Sequence, residues 1–158
     1  MIHCIDPPYV QLYKAINLYS ENIDTAILIL NKAKQLFPKD DELYFFMGEM
    51  YRFKSQYKQA IEAYSLAIQH SKEYETSYLL PFYYFNRANS LLRQKQFHEA
   101  IKDYDELLFL DPEYSPGLTN RGYCLYQTNR KKEACENWRR AVKAGYQKAQ
   151  TYLDKFCK

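Results

Sequence analysis

Two stretches of the chain echo each other at a fixed distance. Asn86 opens "NRANSLLRQKQFHEA", and 34 residues later Asn120 opens "NRGYCLYQTNRKKEA". The echo extends in both directions. Ala26, Ala60, Ala100 and Ala134 follow one another at steps of 34, 40 and 34. Four residues after each stands Leu30, Tyr64, Tyr104 or Trp138, and seven after each stands Ala33, Ala67, Leu107 or Ala141. Apolar positions at i, i+4 and i+7 lie on one face of a helix. Twelve residues before each alanine comes a further slot, filled by Lys14, Gly48, Ala88 and Gly122. The slot holds a small residue in three of the periods and Lys14 in the first.

In the second period the spacing is complete: Tyr44, Met47, Gly48 and Tyr51, then Tyr57, Ala60, Tyr64 and Ala67. This resembles the tetratricopeptide repeat (TPR), a 34-residue helix–turn–helix unit. The closing proline appears as Pro38 and Pro112, and is replaced by Lys72 and Tyr146 in the second and fourth units. The resemblance implies an all-α, right-handed solenoid of antiparallel hairpins in one domain over 1–158, with units at 7–40, 41–74, 81–114 and 115–148. It is weakest in unit one, where Lys14 takes the small-residue slot and Asn17 the aromatic one. Asp40-Asp41 and Ser115-Pro116 supply helix starts, and Pro81 suits the first turn of unit three. The inserted "ETSYLL" at 75–80 predicts that the second helix of unit two runs a turn or more past Lys72. A last helix over about 147–157 would cap the open end with Tyr152, Leu153 and Phe156.

Composition narrows the chemistry. Four glycines are too few for a glycine-cradled phosphate site, and no cofactor is expected. Cys4, Cys124, Cys135 and Cys157 form no CxxC pair and no zinc spacing with His, so no metal is expected either. Four scattered thiols point to a reducing compartment, and the chain is expected to be cytoplasmic. Cys124 and Cys135 fall near positions that hold aliphatic residues in other units and so fill the core; a redox pair between them is the alternative. His3, His70 and His98 sit in different units, near no nucleophile motif. Asp103, Asp105 and Glu106 are expected on an exposed helix surface, so no enzyme activity is expected. The start "MIHCIDPPYV" lacks a basic segment ahead of an apolar one, and "AILIL" at 26–30 is too short to span a bilayer, so no membrane role is expected.

Charge is unevenly distributed: residues 1–114 carry 12 Lys/Arg against 16 Asp/Glu, whereas residues 115–158 carry 10 against 3. The basic third would favour an acidic partner, against the plainer reading of a solvated helix face. Nucleic acid is not expected as a partner, because Trp138 fills the slot of Tyr64 and Tyr104 and leaves no stacking platform.

The resemblance implies that the first helix of each unit lines a groove for peptides or partner helices. Residues between the packing positions there are Phe45, Glu49, Arg52 and Phe53 in unit two, Phe85, Asn86, Asn89 and Arg93 in unit three, and Asn120 and Tyr123 in unit four. Amides can hold a peptide backbone and aromatic rings can pocket apolar side chains, so an apolar or aromatic-containing segment is the expected partner. The family's carboxylate clamp for chaperone tails needs two cations. The matching positions hold Gln11, Ala15, Phe46, Phe82 and Asn86, or one unit on, Phe45, Glu49, Asn86, Pro116 and Asn120; neither frame supplies the cations. Homo-oligomeric assembly through the same aromatic surface is the alternative.

Overall fold

A computed structural model describes residues 22–73 and 78–158. The first helix expected for unit one, with Lys14, lies outside these residues, as does most of the expected helix extension beyond Lys72. The chain divides into two compact bodies, Met1–Ser77 and Tyr78–Lys158. In the N-terminal body the described helices are α1 (Ile23–Leu36), α2 (Asp41–Phe53) and α3 (Tyr57–Glu73). In the C-terminal body they are α4 (Leu80–Arg93), α5 (Phe97–Leu110), α6 (Ser115–Gln127), α7 (Lys131–Lys143) and α8 (Lys148–Phe156). No strand occurs among the described residues.

Local chemistry sets the helix ends. Asn22 and Asp40 are N-caps whose side-chain oxygens accept from the amides of Thr25 at 3.1 Å and Leu43 at 2.9 Å. Pro81 sits in the first turn of α4, where its missing N–H costs nothing. At α6 the expectation needs correcting: the cap position is Tyr114, and the Ser115 hydroxyl donates to the Glu113 carbonyl rather than capping. The turn inside each hairpin repeats too. Ser55, Lys95 and Asn129 all take left-handed backbone, with φ of 58°, 59° and 62°. The residues that follow, Gln56, Gln96 and Arg130, close each helix by donating back five positions: Gln56 N–H to Tyr51 O, Gln96 N–H to Leu91 O and Arg130 N–H to Leu125 O.

The periodic positions form the cores. Ala26, Leu30, Ala60, Tyr64, Ala100, Tyr104, Ala134 and Trp138 are fully buried, and Gly48, Ala88 and Gly122 are buried opposite them. A Cβ at Gly48 would meet the Tyr64 ring at 2.4 Å, so only glycine admits that ring here. Hairpins α2–α3, α4–α5 and α6–α7 form, α5 packs on α6, and α8 packs on α7 as the expected cap. Tyr152 stacks on Trp138 with ring centroids 5.2 Å apart, and Phe156 lies 4.4 Å from Tyr126.

Two side-chain expectations fail inside the C-terminal body. Asp103 is not exposed: it is 5% accessible and takes a two-pronged pair from Arg87, Nε and Nη2 each at 2.7 Å. Only Asp105 and Glu106 stand on the surface. Cys135 is buried but does not merely fill the core, since it is bonded to Cys157 across α7 and α8. Cys124 is a free, buried thiol, so the alternative pairing of Cys124 with Cys135 is also excluded. The expectation of four separate thiols, on which the reducing compartment rested, fails at this bond.

Candidate partner-binding site

In the N-terminal body, α2 presents Phe45, Glu49, Arg52 and Phe53 at i, i+4, i+7 and i+8, a helical face. Much of this face is engaged within the body. The Glu49 carboxylate accepts from Arg52 Nε at 3.2 Å and Nη2 at 2.7 Å, and from the Tyr64 hydroxyl. Burial, then the Glu49 charge, pushes the Tyr64 hydroxyl far above its ordinary range. The hydrogen bond to Glu49 holds the Arg52 guanidinium charged, and that guanidinium lies 4.3 Å above the centre of the Phe53 ring. Phe45 packs on Phe46 and on Tyr64, with centroids 5.3 and 5.9 Å away. Phe53, 43% exposed, is the apolar group this face offers outward.

In the C-terminal body, Phe85, Asn86, Asn89 and Arg93 project from α4, and Asn120 and Tyr123 from α6. The two helices meet through their amides. Asn89 Oδ1 accepts from the Tyr104 hydroxyl at 2.6 Å and from Asn120 Nδ2 at 2.8 Å. Both hydrogen bonds use one oxygen, which fixes the orientation of both amides. Among the described residues no hydrogen bond engages Asn89 Nδ2 or Asn120 Oδ1, which leaves a donor group on α4 and an acceptor on α6. Tyr104 is held protonated well above its ordinary range, chiefly by burial and next by the neighbouring Cys124.

The remaining positions are less open than the sequence suggested. Asn86 Nδ2 donates to its own helix at Phe82 O, 2.9 Å, leaving its carbonyl oxygen to face outward. Phe85 stands edge-on to Tyr114 at 5.0 Å, and Tyr123 sits between Phe97 at 6.3 Å and Tyr152 at 6.2 Å. Arg93 is exposed and makes no ion pair among the described residues. Sequence reasoning missed the support beneath these residues. Glu49 and Asn89 occupy one repeat slot, Tyr64 and Tyr104 another, and in both units the phenol bonds the outward-facing residue. The 15-residue spacing within each pair was visible; the hydrogen bond across it was not. Arg87 and Asp103, 16 apart, recur as Arg121 and Asn137, with Arg121 Nη1 donating to Asn137 Oδ1 at 3.1 Å.

Family comparison agrees with the spacing: tetratricopeptide repeat profiles match residues 41–73 and 81–114. The chain is a tetratricopeptide repeat protein. Among curated relatives, the small glutamine-rich tetratricopeptide repeat-containing protein 2 of Saccharomyces cerevisiae is 29% identical over 108 residues, covering 66% of this chain and 31% of the relative. The human DnaJ homolog subfamily C member 7 is 27% identical over 112 residues, covering 71% of this chain and 22% of the relative. The match thus spans about a third of these relatives or less. Among solved structures, MamA superposes with a TM-score of 0.80 at 17% identity, over 92% of this chain and 82% of MamA. The first TPR of Spaghetti (RPAP3), bound to an HSP90 peptide, superposes with a TM-score of 0.68 at 21% identity, over 75% of this chain and 90% of that one. These likenesses establish the TPR fold.

Proposed function

We propose that this TPR chain is a non-enzymatic adaptor that binds an extended segment or helix of a partner protein. The observation that carries the reading is the Asn89–Asn120 pair, whose spare N–H and C=O match the C=O and N–H of a peptide backbone. Asn86 adds an outward carbonyl oxygen, Arg93 an uncommitted cation, and Phe85 and Tyr123 apolar edges. On the N-terminal body Phe53, with Arg52 stacked on it, offers the apolar contact, while Glu49 and Phe45 serve it mainly as support. The reading treats 1–158 as one binding domain in the cytoplasm. The peptide-bound RPAP3 repeat supports a peptide as the class of ligand. The absence of two clamp cations argues against a chaperone C-terminal tail and favours an apolar or aromatic-containing segment.

The test is a peptide selected from a random display library on the wild-type chain. Its affinity is then measured for the Asn86→Ala/Asn120→Ala double variant, with the thermal melt as a folding control. We expect binding about tenfold weaker or worse with an unchanged melt; equal affinity sinks the reading. Self-association is the second reading, favoured by Phe53 and Phe82 standing 43% and 45% exposed. Light scattering that finds a monomer at all concentrations removes it.

A further inference from the structure

The disulfide joins the cap to the body it covers. Cys135 lies on α7 and is 5% exposed; Cys157 immediately follows α8 and is half-buried. Between these anchors, α8 is nine residues long, and Ala149 is its one fully buried residue. Beyond the disulfide, its hold on the rest of the body is largely aromatic. Tyr152 stacks on Trp138 and meets Tyr123, and Phe156 meets Tyr126 and Trp138. A helix this short has little stability of its own. The two sulfurs also differ in access: an attacking thiol can reach the half-buried Cys157 sooner than the enclosed Cys135. Lys155 and Lys158, against Asp154, stand within three residues of Cys157, and Lys131 Nζ donates to the Lys158 carbonyl at 3.4 Å, so the local charge is net positive and suits an anionic thiol.

We infer that Cys135–Cys157 is an exchange site for an anionic low-molecular-weight thiol, and that its redox state sets whether α8 stays closed over Tyr123, Tyr126 and Trp138. The thiolate attacks Cys157 Sγ, forming a mixed disulfide as the bond to Cys135 breaks. Cys135 leaves as a thiolate and takes a proton from water. A second thiolate attacks the sulfur of the mixed disulfide's small-molecule half, releasing the oxidised small disulfide and the Cys157 thiolate. Two electrons pass from two small thiols to the protein disulfide; closing the latch reverses the steps with the small disulfide as oxidant. This inference does not depend on the peptide-binding reading, although Tyr123 belongs to both surfaces.

The experiment uses the full chain equilibrated with reduced and oxidised glutathione at set ratios. Peptide mapping follows the Cys135–Cys157 linkage, hydrogen exchange follows α8, and acrylamide quenching follows the chain's single tryptophan, Trp138. On reduction, α8 amides should exchange roughly 100-fold faster, as expected for release of a covalent loop of this size, while α4 and α5 amides keep their rates. Trp138 quenching should rise in step, and Cys157→Ser should reproduce the reduced wild type in both readouts. Three results overturn the inference: no linked peptide at any glutathione ratio, equal α8 exchange and quenching in both redox forms, or a Cys157→Ser variant that behaves like the oxidised protein.

Discussion

Gly122 faces Trp138 so closely that a Cβ built on the glycine would stand 2.6 Å from the indole Nε1. The indole cannot yield easily, because that nitrogen donates to the Thr119 carbonyl at 3.0 Å and the ring is fully buried. Gly122→Ala should therefore destabilise the C-terminal body by about 1–3 kcal/mol despite alanine's better helix propensity. Urea denaturation followed by Trp138 fluorescence measures this. A stability equal to wild type would mean that the ring has room to move.

Arg87 and Asp103 form the buried pair of the same body. Arg87→Ala removes the two-pronged guanidinium that holds a nearly enclosed carboxylate, at a cost of roughly 3–5 kcal/mol. Arg87→Met with Asp103→Leu should recover most of that loss, since no charge is then left stranded. Equal losses in the single and double variants, by denaturant titration, would refute the argument.

The spacing of the repeat made the fold legible: each of the positions from Ala26 to Ala141 that set the period and lies in the described helices is buried. The candidate site was legible only in part. Asn89 and Asn120 were placed on the right helices, but periodicity carries no information about which oxygen two amides share. Asp103 was misplaced because its helix neighbours, Asp105 and Glu106, are exposed, and its partner Arg87 lies on another helix. The Cys135–Cys157 bond was missed for a related reason: it depends on the register of α8 against α7, and α8 falls outside the repeat.

Tyr104 supports the site from below through Asn89. Tyr104→Phe should cost about 1 kcal/mol of stability, the worth of one neutral hydrogen bond. It should also weaken the display-selected peptide several-fold, because Asn89 then keeps only Asn120 to orient it. Calorimetric titration against the wild type checks both; unchanged affinity would show that Asn120 suffices.

Burial pushes the Cys124 thiol up to about 12 from 9.0. A raised folded-state value means that the folded chain holds this proton more tightly than the unfolded chain. The stability it contributes is then complete below about pH 9 and declines as pH rises from there towards 12. Buried Tyr64 and Tyr104 act in the same direction at higher pH, so the informative quantity is the difference from Cys124→Ala. Stability of that variant should fall less steeply between pH 8 and pH 10.5 than that of the wild type; parallel slopes would contradict the assignment.

The hydrogen bond from Tyr104 to Asn89 has a consequence for how such a chain can diverge. One oxygen serves both the interior and the proposed partner face, as the Glu49 carboxylate does for Tyr64 in the other body. A lineage that shifts its partner preference at residue 89 strands a phenol in the interior unless residue 104 changes with it. On the proposed reading, ligand choice and foldedness are coupled at these two sites, and drift in one is held back by the other.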